Sequence, residues 1–298
     1  MKPDITLQEL LGWDGVSSLR ADLHSHSTIS DGSYSSGELL EQAKRKGLTH
    51  LAITNHDTTV GFNQAREAVK NINAAEQEQD GLQEGGFPLT YISGVEISAW
   101  NPKTGRKVHI LGFGLEEDSP AISALCTPIL EARTNNTLWQ QEQLEQAGYA
   151  LNKELLSKLR LASTGFYKQH LMAALTNAPF TSQEYQLLYK RLFKGDGICK
   201  RDISYVHMCD AVCAICEDGG VAVLAHPGQL DSYSAVPELV DAGLWGIEKY
   251  HPDHTELDWD RCDQMASDYA LTCTGGSDYH GVFGEVKCPG QCMLKKLV

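Results

Sequence analysis

The chain has 298 residues, 42% of them hydrophobic, and a formal charge of −14 from 25 basic and 39 acidic side chains. That is enough apolar material for one large α/β domain or a barrel with an insertion, and no run approaches the roughly 18 apolar residues of a membrane span. The acidic balance lacks the basic footprint of a protein that grips long nucleic acid, so a small phosphorylated metabolite is the favoured partner.

Residues 18–30 read as a short strand running into a loop, with Asp31-Gly32 as a turn signal. A helix is predicted at about 36–46, opened by a Ser35/Glu38 capping box, closed at Gly47 and buried along Leu39, Leu40 and Ala43. The strand His50-Leu-Ala-Ile-Thr-Asn ends at His56-Asp57. A polar helix at about 60–79 and an acidic, Gly-rich loop at 80–88 lead to a strand ending in Gly94-Val-Glu96, and Lys107-Val-His109-Ile-Leu-Gly-Phe is a fourth. From about 118 to 205 the pattern turns helical, with helices expected at 122–147, 153–159, 169–175 and 182–193, the last behind a Thr181/Glu184 capping box. This stretch reads as an inserted helical subdomain covering the strand ends. Regular α/β alternation returns with a helix at 206–217 and strands at 220–225, 246–250 and 270–276, seven strands in all.

Nine side chains concentrate at or just after these apolar runs: His24, His26, Asp31, His56, Glu96, His109, His226, Asp278 and His280. Strand ends are where a parallel α/β architecture presents its catalytic groups. His24 and His26 are two apart in extended chain and so share a face, as do Asp278 and His280. Nine nitrogen and oxygen ligands, none of them cysteine, exceed what one tetrahedral ion takes. A cluster of two or three divalent ions is expected, with Mn, Fe or Zn all compatible with the donor set. The chemistry such a cluster supports is hydrolysis of a phosphate ester. Asp57, beside a ligand, is expected to orient imidazoles. Lys200 and Arg201, at the exit of the insertion, are candidates for contacting substrate phosphate. His251 and His254 follow a strand at the same end and are candidates for binding phosphate or protonating the leaving group.

The nine cysteines, an odd number, argue for reduced thiols rather than a disulfide framework. Cys209, Cys213 and Cys216 fall at helical spacing, which favours packing over an iron–sulfur ligand set. The N-terminus, Met1-Lys-Pro-Asp, lacks the features of a secretory leader, so a cytoplasmic location is expected.

Taken together, His24-Ser-His26 with Asp31, Thr54-Asn-His56-Asp57, Gly94-Val-Glu96, His109, Ala225-His226-Pro-Gly and Gly276-Ser-Asp278-Tyr-His280 resemble the motifs of the polymerase and histidinol phosphatase (PHP) superfamily of metal-dependent phosphoesterases. They span residues 22 to 281. The resemblance implies a distorted (β/α)7 barrel over 1–117 and 206–298, with the helical subdomain at 118–205 inserted in it. It also implies up to three divalent ions. His24, His26, Glu96 and Asp278 would hold the first, Glu96, His109 and His226 the second with Glu96 bridging, and Asp31, His56 and His280 the third. Aspartate at position 31 resembles the bacterial members acting on nucleoside phosphates or RNA ends. Two features depart from those relatives: Ser163–His170 lacks the arginine of their Gly-Arg-Pro-His-like segment, and Gln229 stands where Ala-His-Pro-Gly is usually followed by arginine.

The expected activity is that of a phosphomono- or diesterase on a small nucleotide-like or sugar-phosphate substrate, through a metal-bridging hydroxide. The alternatives are an exonuclease on short RNA or DNA ends and a structural or regulatory module, for which nine intact ligands would be surplus.

Overall fold

A computed structural model describes residues 2–79, 87–292 and 294; positions 80–86 of the expected acidic loop lie outside these. The first half of the barrel comprises α1 (Leu7–Leu11), β1 (Ala21–Asp22), α2 (Ser36–Arg45), β2 (His50–His56), α3 (Phe62–Gln79), β3 (Thr90–Asn101) and β4 (Arg106–Phe113). Helices α4 (Pro120–Gln146), α5 (Lys153–Ala162), α6 (Lys168–Leu175) and α7 (Gln183–Phe193) follow. The barrel resumes with β5 (Val206–His207), α8 (Met208–Glu217), β6 (Val221–Leu224), α9 (Pro227–Leu230), α10 (Val236–Ala242), β7 (Gly246–Tyr250), α11 (Glu256–Tyr269) and β8 (Thr272–Gly275).

The sheet runs β1-β2-β3-β4-β6-β7-β8, and β5 pairs with the far end of β3. Among the described residues β4 alone is antiparallel to its neighbours, because it returns from β3 through the tight turn at Gly105 (φ 69°). Its N-terminal end therefore lies where the other strands have their C-terminal ends. The ring closes through residues just beyond β1 and β8: Leu23 N donates to Gly275 O at 3.1 Å and His26 N to Tyr279 O at 2.9 Å. Gly276 permits this closure, since a Cβ there would sit 2.3 Å from the Cβ of His24.

Period-two alternation decides what the barrel holds. Ala52, Ile92, Leu111, Phe113, Val221 and Val223 share a buried cluster with Leu11 of α1 and Trp245, which fills the floor. Continuing along the same faces toward the mouth, the alternate residues become Thr54 and His56, Glu96 and Ser98, His109 and Lys107. The opposite faces, with Val95, Ile97, Val108 and Ile110, pack against α8 and α10, and Leu51 and Ile53 pack against α2 and α3. Each such buried aliphatic side chain stabilises the fold by roughly 1.5–3 kcal/mol relative to exposure.

The helices between β4 and β5 have an apolar cluster of their own, including Leu144, Leu156, Phe166, Leu171, Tyr185 and Phe193. Helix α4 spans both clusters: Ile122, Cys126 and Ile129 pack on the barrel, and Leu144 belongs to the helical core. The capping box of α2 forms as expected between Ser35 and Glu38. Two local expectations are corrected. Residues 206–207, expected in a helix, pair with Ala99 and Trp100, so the sheet has an eighth strand and α8 starts at Met208. Helix α7 is capped by Ser182, whose hydroxyl accepts from Tyr185 N, rather than by Thr181.

Candidate metal centre

Nine side chains from widely separated segments meet at the mouth of the barrel. Glu96, on β3, is buried at their middle, and its two oxygens face different partners. Oε2 lies 3.2 Å from His24 Nε2, 3.1 Å from His26 Nε2 and 3.3 Å from His56 Nδ1. Oε1 lies 2.7 Å from His109 Nδ1 and 2.9 Å from His226 Nε2. Asp278 Oδ1 is 3.3 Å from His24 Nε2 and 3.2 Å from His26 Nε2. On the far side of His26, Asp31 Oδ1 is 3.4 Å from His280 Nε2, and Asp31 Oδ2 is 3.9 Å from His56 Nε2.

These contacts fall into three groups whose donor atoms lie within 4.8 Å of one another: His24, His26, Glu96 and Asp278; Glu96, His109 and His226; and His26, Asp31, His56 and His280. A tetrahedral ion with bonds of about 2.0–2.1 Å requires ligand–ligand edges of roughly 3.3–3.4 Å. The first group has four of its edges between 3.1 and 3.3 Å. Among the described residues, Nε2 of His24, both ring nitrogens of His26, Nδ1 of His56, and Oδ1 of Asp31 and Asp278 are buried without a hydrogen-bond partner. Converging buried donors of this kind cost several kcal/mol unless a cation organises them. The residues fit divalent metal.

The mutual fields are strong. Burial opposes ionisation of Glu96, but His56, His24 and His109 outweigh it and hold the carboxyl well below its usual range. Burial lowers His56 to about 4 despite Glu96 and Asp31, so its imidazole is neutral and available as a ligand. For His280, the Asp31 and Asp278 carboxylates overcome burial and push the pKa up to about 10. A metal held at His280 would displace a proton at pH 7, and affinity there is expected to climb as pH rises toward 10. Calorimetric titration of stripped protein with Mn in buffers of different ionisation enthalpy should show net proton release. No buffer dependence would contradict this arrangement.

Backbone strain gathers at the same place. His226 (φ 24°), Asp57 (φ 57°) and Asp278 (φ 49°) all adopt left-handed conformations that L residues rarely take. The His226 turn is held from two sides: its N–H donates to Glu248 Oε2 at 2.8 Å, and Gly228 N donates to His254 Nε2 at 3.0 Å.

The family model for the PHP domain matches residues 22–199. The chain belongs to the PHP domain family. A phosphoribosyl 1,2-cyclic phosphate 1,2-diphosphodiesterase of Eggerthella lenta is 53% identical over 89% of this chain and 95% of its own length. A 3′,5′-nucleoside bisphosphate phosphatase of Chromobacterium violaceum is 29% identical over 87% of this chain and 86% of its own. A solved structure of a candidate metal-dependent phosphoesterase from Bifidobacterium adolescentis superposes with a TM-score of 0.78 at 25% identity, covering 92% of each chain. This PHP domain chain is thus a hydrolase of phosphoric esters with the barrel of its family, and its chemistry is metal-dependent.

The PHP domain chain places its other predicted site residues unequally. His251 is buried, with Nε2 3.5 Å from Asp278 Oδ2, and lines a cavity of about 330 Å³ together with Asp278 and His280. His254 is held by backbone on both sides: Nδ1 donates to Lys249 O at 2.8 Å and Nε2 accepts from Gly228 N. Among the described residues, Asp57 has no hydrogen bond or ion pair to an imidazole. Its carboxylate accepts from Ser98 N at 2.8 Å, from Ser98 Oγ and from Arg133 at 2.7 Å. Lys200 and Arg201 turn away from the centre. Lys200 is exposed and pairs with Asp196, and Arg201 stacks 4.1 Å over Trp139 and donates to Asn136.

Sequence reading missed several groups at the site. Glu248 is buried, with Oε1 3.1 Å from His24 Nδ1, the imidazole-orienting contact expected of Asp57. As an acid in the middle of the short strand Gly246–Tyr250, it was the signal available. Gln169 donates to Asp31 Oδ2 at 2.8 Å. Arg133, whose guanidinium lies 5.2 Å from the Tyr167 ring, reaches the site from α4 and not from the 163–170 segment where relatives carry arginine. Nothing in the spacing of a long helix marks it.

Proposed function

We propose that the chain hydrolyses the cyclic phosphate of a small phosphorylated sugar, the class of substrate named for its Eggerthella lenta relative, with two or three divalent ions. The observation that carries this reading is the cavity beside the metal centre. It measures about 340 Å³, is floored by Asp31, His56 and His109, and is walled by Lys107, Lys168, Tyr185 and Tyr189. That volume is at the small end of ligand sites, suited to a single sugar phosphate. Residues 118–205 serve as the subdomain that roofs it.

In this mechanism the first group around Glu96 and Asp278 would hold one ion, His109 and His226 with Glu96 a second, and Asp31, His56 and His280 a third. Such ions would supply an acidified water and neutralise charge on the phosphate. The remaining work belongs to the chain. Glu248 accepts a hydrogen bond from Nδ1–H of His24, leaving the Nε2 lone pair free to ligate. Gln169 fixes the Asp31 carboxylate. Arg133, anchored by Asp57 and stacked on Tyr167, contributes fixed positive charge to the wall. Burial opposes protonation of His251, but the Asp278 carboxylate, 3.5 Å from Nε2, and the nearby Glu248 raise its pKa, and its place in the cavity beside Asp278 and His280 makes it the group to give a proton to the departing oxygen.

The 27% identical 5′-3′ exoribonuclease of Haemophilus influenzae supports a second reading, cleavage of short RNA ends. Purified protein loaded with Mn, Fe or Zn should turn over a ribose 1,2-cyclic phosphate with a kcat/KM at least about tenfold above that for a short oligoribonucleotide. The reverse order would favour the exonuclease, and fewer than two ions per chain on metal analysis would sink the mechanism.

A further inference from the structure

The cavity wall carries a surplus of positive charge. Lys107 Nζ lies 2.8 Å from Asp202 Oδ2 and 2.9 Å from the Tyr205 hydroxyl. Lys168 Nζ lies 3.8 Å from the other oxygen of the same Asp202. One carboxylate thus serves two ammonium groups, and the Arg133 guanidinium is already engaged by Asp57. For Lys168, burial is the largest influence and lowers its pKa; Asp202 opposes this, and Lys107, Lys194 and Arg133 add to the lowering. An unbalanced cation in a partly enclosed pocket is unfavourable, and an incoming anion relieves that imbalance.

Position along the strand says where that anion lies. Lys107 is two residues before His109 on β4, so both side chains point into the barrel from one face, with their backbones about 7 Å apart. Lys107 therefore stands nearer the start of β4 than His109 and lines the same cavity as Asp31, His56 and His109. The wall of that cavity also includes aromatic and apolar side chains, Tyr185, Tyr189 and Met172 among them, a surface that suits the sugar face.

We propose that Lys107 and Lys168 bind a second phosphate of the substrate, across the sugar from the phosphate that reacts at the metal centre. This rests on the sugar-phosphate reading above and goes beyond it by assigning the specificity for a doubly phosphorylated substrate to these two residues. Asp202 and Tyr205 hold the Lys107 ammonium in place, and the phosphate engages both lysines from the cavity side through charge-assisted hydrogen bonds.

The test compares kcat/KM for ribose 1,2-cyclic phosphate with and without a phosphate on the 5-hydroxyl. Wild type should prefer the doubly phosphorylated form. Lys107→Met and Lys168→Met should each lower that preference by about 10- to 100-fold, mainly through KM, as expected for loss of a hydrogen bond to a charged group. Lys107→Arg should retain part of it, and the remote surface variant Lys70→Met none of the loss. An unaltered preference in both Met variants, at wild-type metal content and melting temperature, overturns the proposal. If no cyclic phosphate is turned over, the substrate reading fails separately. Inhibition of p-nitrophenyl phosphate hydrolysis by ribose 5-phosphate then decides: an inhibition constant at least about tenfold weaker in the Met variants sustains the lysine site. An equal constant, or no inhibition of wild type, removes it. Should a Met variant not fold, Lys168→Gln and Lys107→Arg are read by the same two measurements.

Discussion

Glu96→Ala should abolish turnover and strip the protein of metal. Both carboxylate oxygens are used, Oε2 toward His24, His26 and His56, and Oε1 toward His109 and His226. Removing the side chain unbridges two groups at once and leaves buried imidazoles facing one another. Losing a bound ion forfeits several kcal/mol of transition-state stabilisation, so kcat/KM should fall on the order of 10³-fold or more. Metal content by elemental analysis should fall by at least one ion per chain. Cys213→Ala, at an exposed position on α8, serves as the control and should change neither quantity. Full activity of Glu96→Ala at normal metal content would falsify the bridging role.

Glu248→Gln should weaken metal binding without touching a ligand. The carboxylate faces His24 Nδ1 at 3.1 Å and accepts the His226 N–H at 2.8 Å, so it sets the ring of one ligand and the strained turn of another. An amide keeps the size but loses the charge that raises the basicity of His24. Comparable partners of metal-bound histidines contribute about 10- to 100-fold in affinity or activity. The expected result is a rise in the apparent metal dissociation constant of that size, with activity recovering at high metal concentration. Recovery separates a positioning role from structural collapse, in which added metal would restore nothing.

Much of this arrangement is written in the local pattern of the chain. The His24/His26 and Asp278/His280 pairs carry period-two spacing at predicted strand ends, and that regularity is enough to place them on one mouth. Ser35 and Glu38 announce α2 in the same way. What stays hidden depends on partners that are distant in sequence. Glu248 becomes an orienting group only because β7 lies beside β6, and Arg133 reaches Asp57 only because α4 leans over the mouth. His254 shows the converse: its position after a strand suggests chemistry, but both nitrogens are held by backbone in the fold. Lys200 and Arg201 mislead for a simpler reason, since a basic pair is equally at home in solvent and on the face of Trp139.

The seam where Leu23 and His26 bond to Gly275 and Tyr279 has a consequence for how the barrel stays closed. His24 and His26 lie on one side of this seam and Asp278 and His280 on the other, far apart in the order of synthesis. The first and third groups of candidate ligands are therefore complete only when residues from both sides of the seam have come together. Ions held by these groups would lie across the seam and act as its clasp. Loss of metal should open the barrel between its first and last strands before it loosens the helices that surround it.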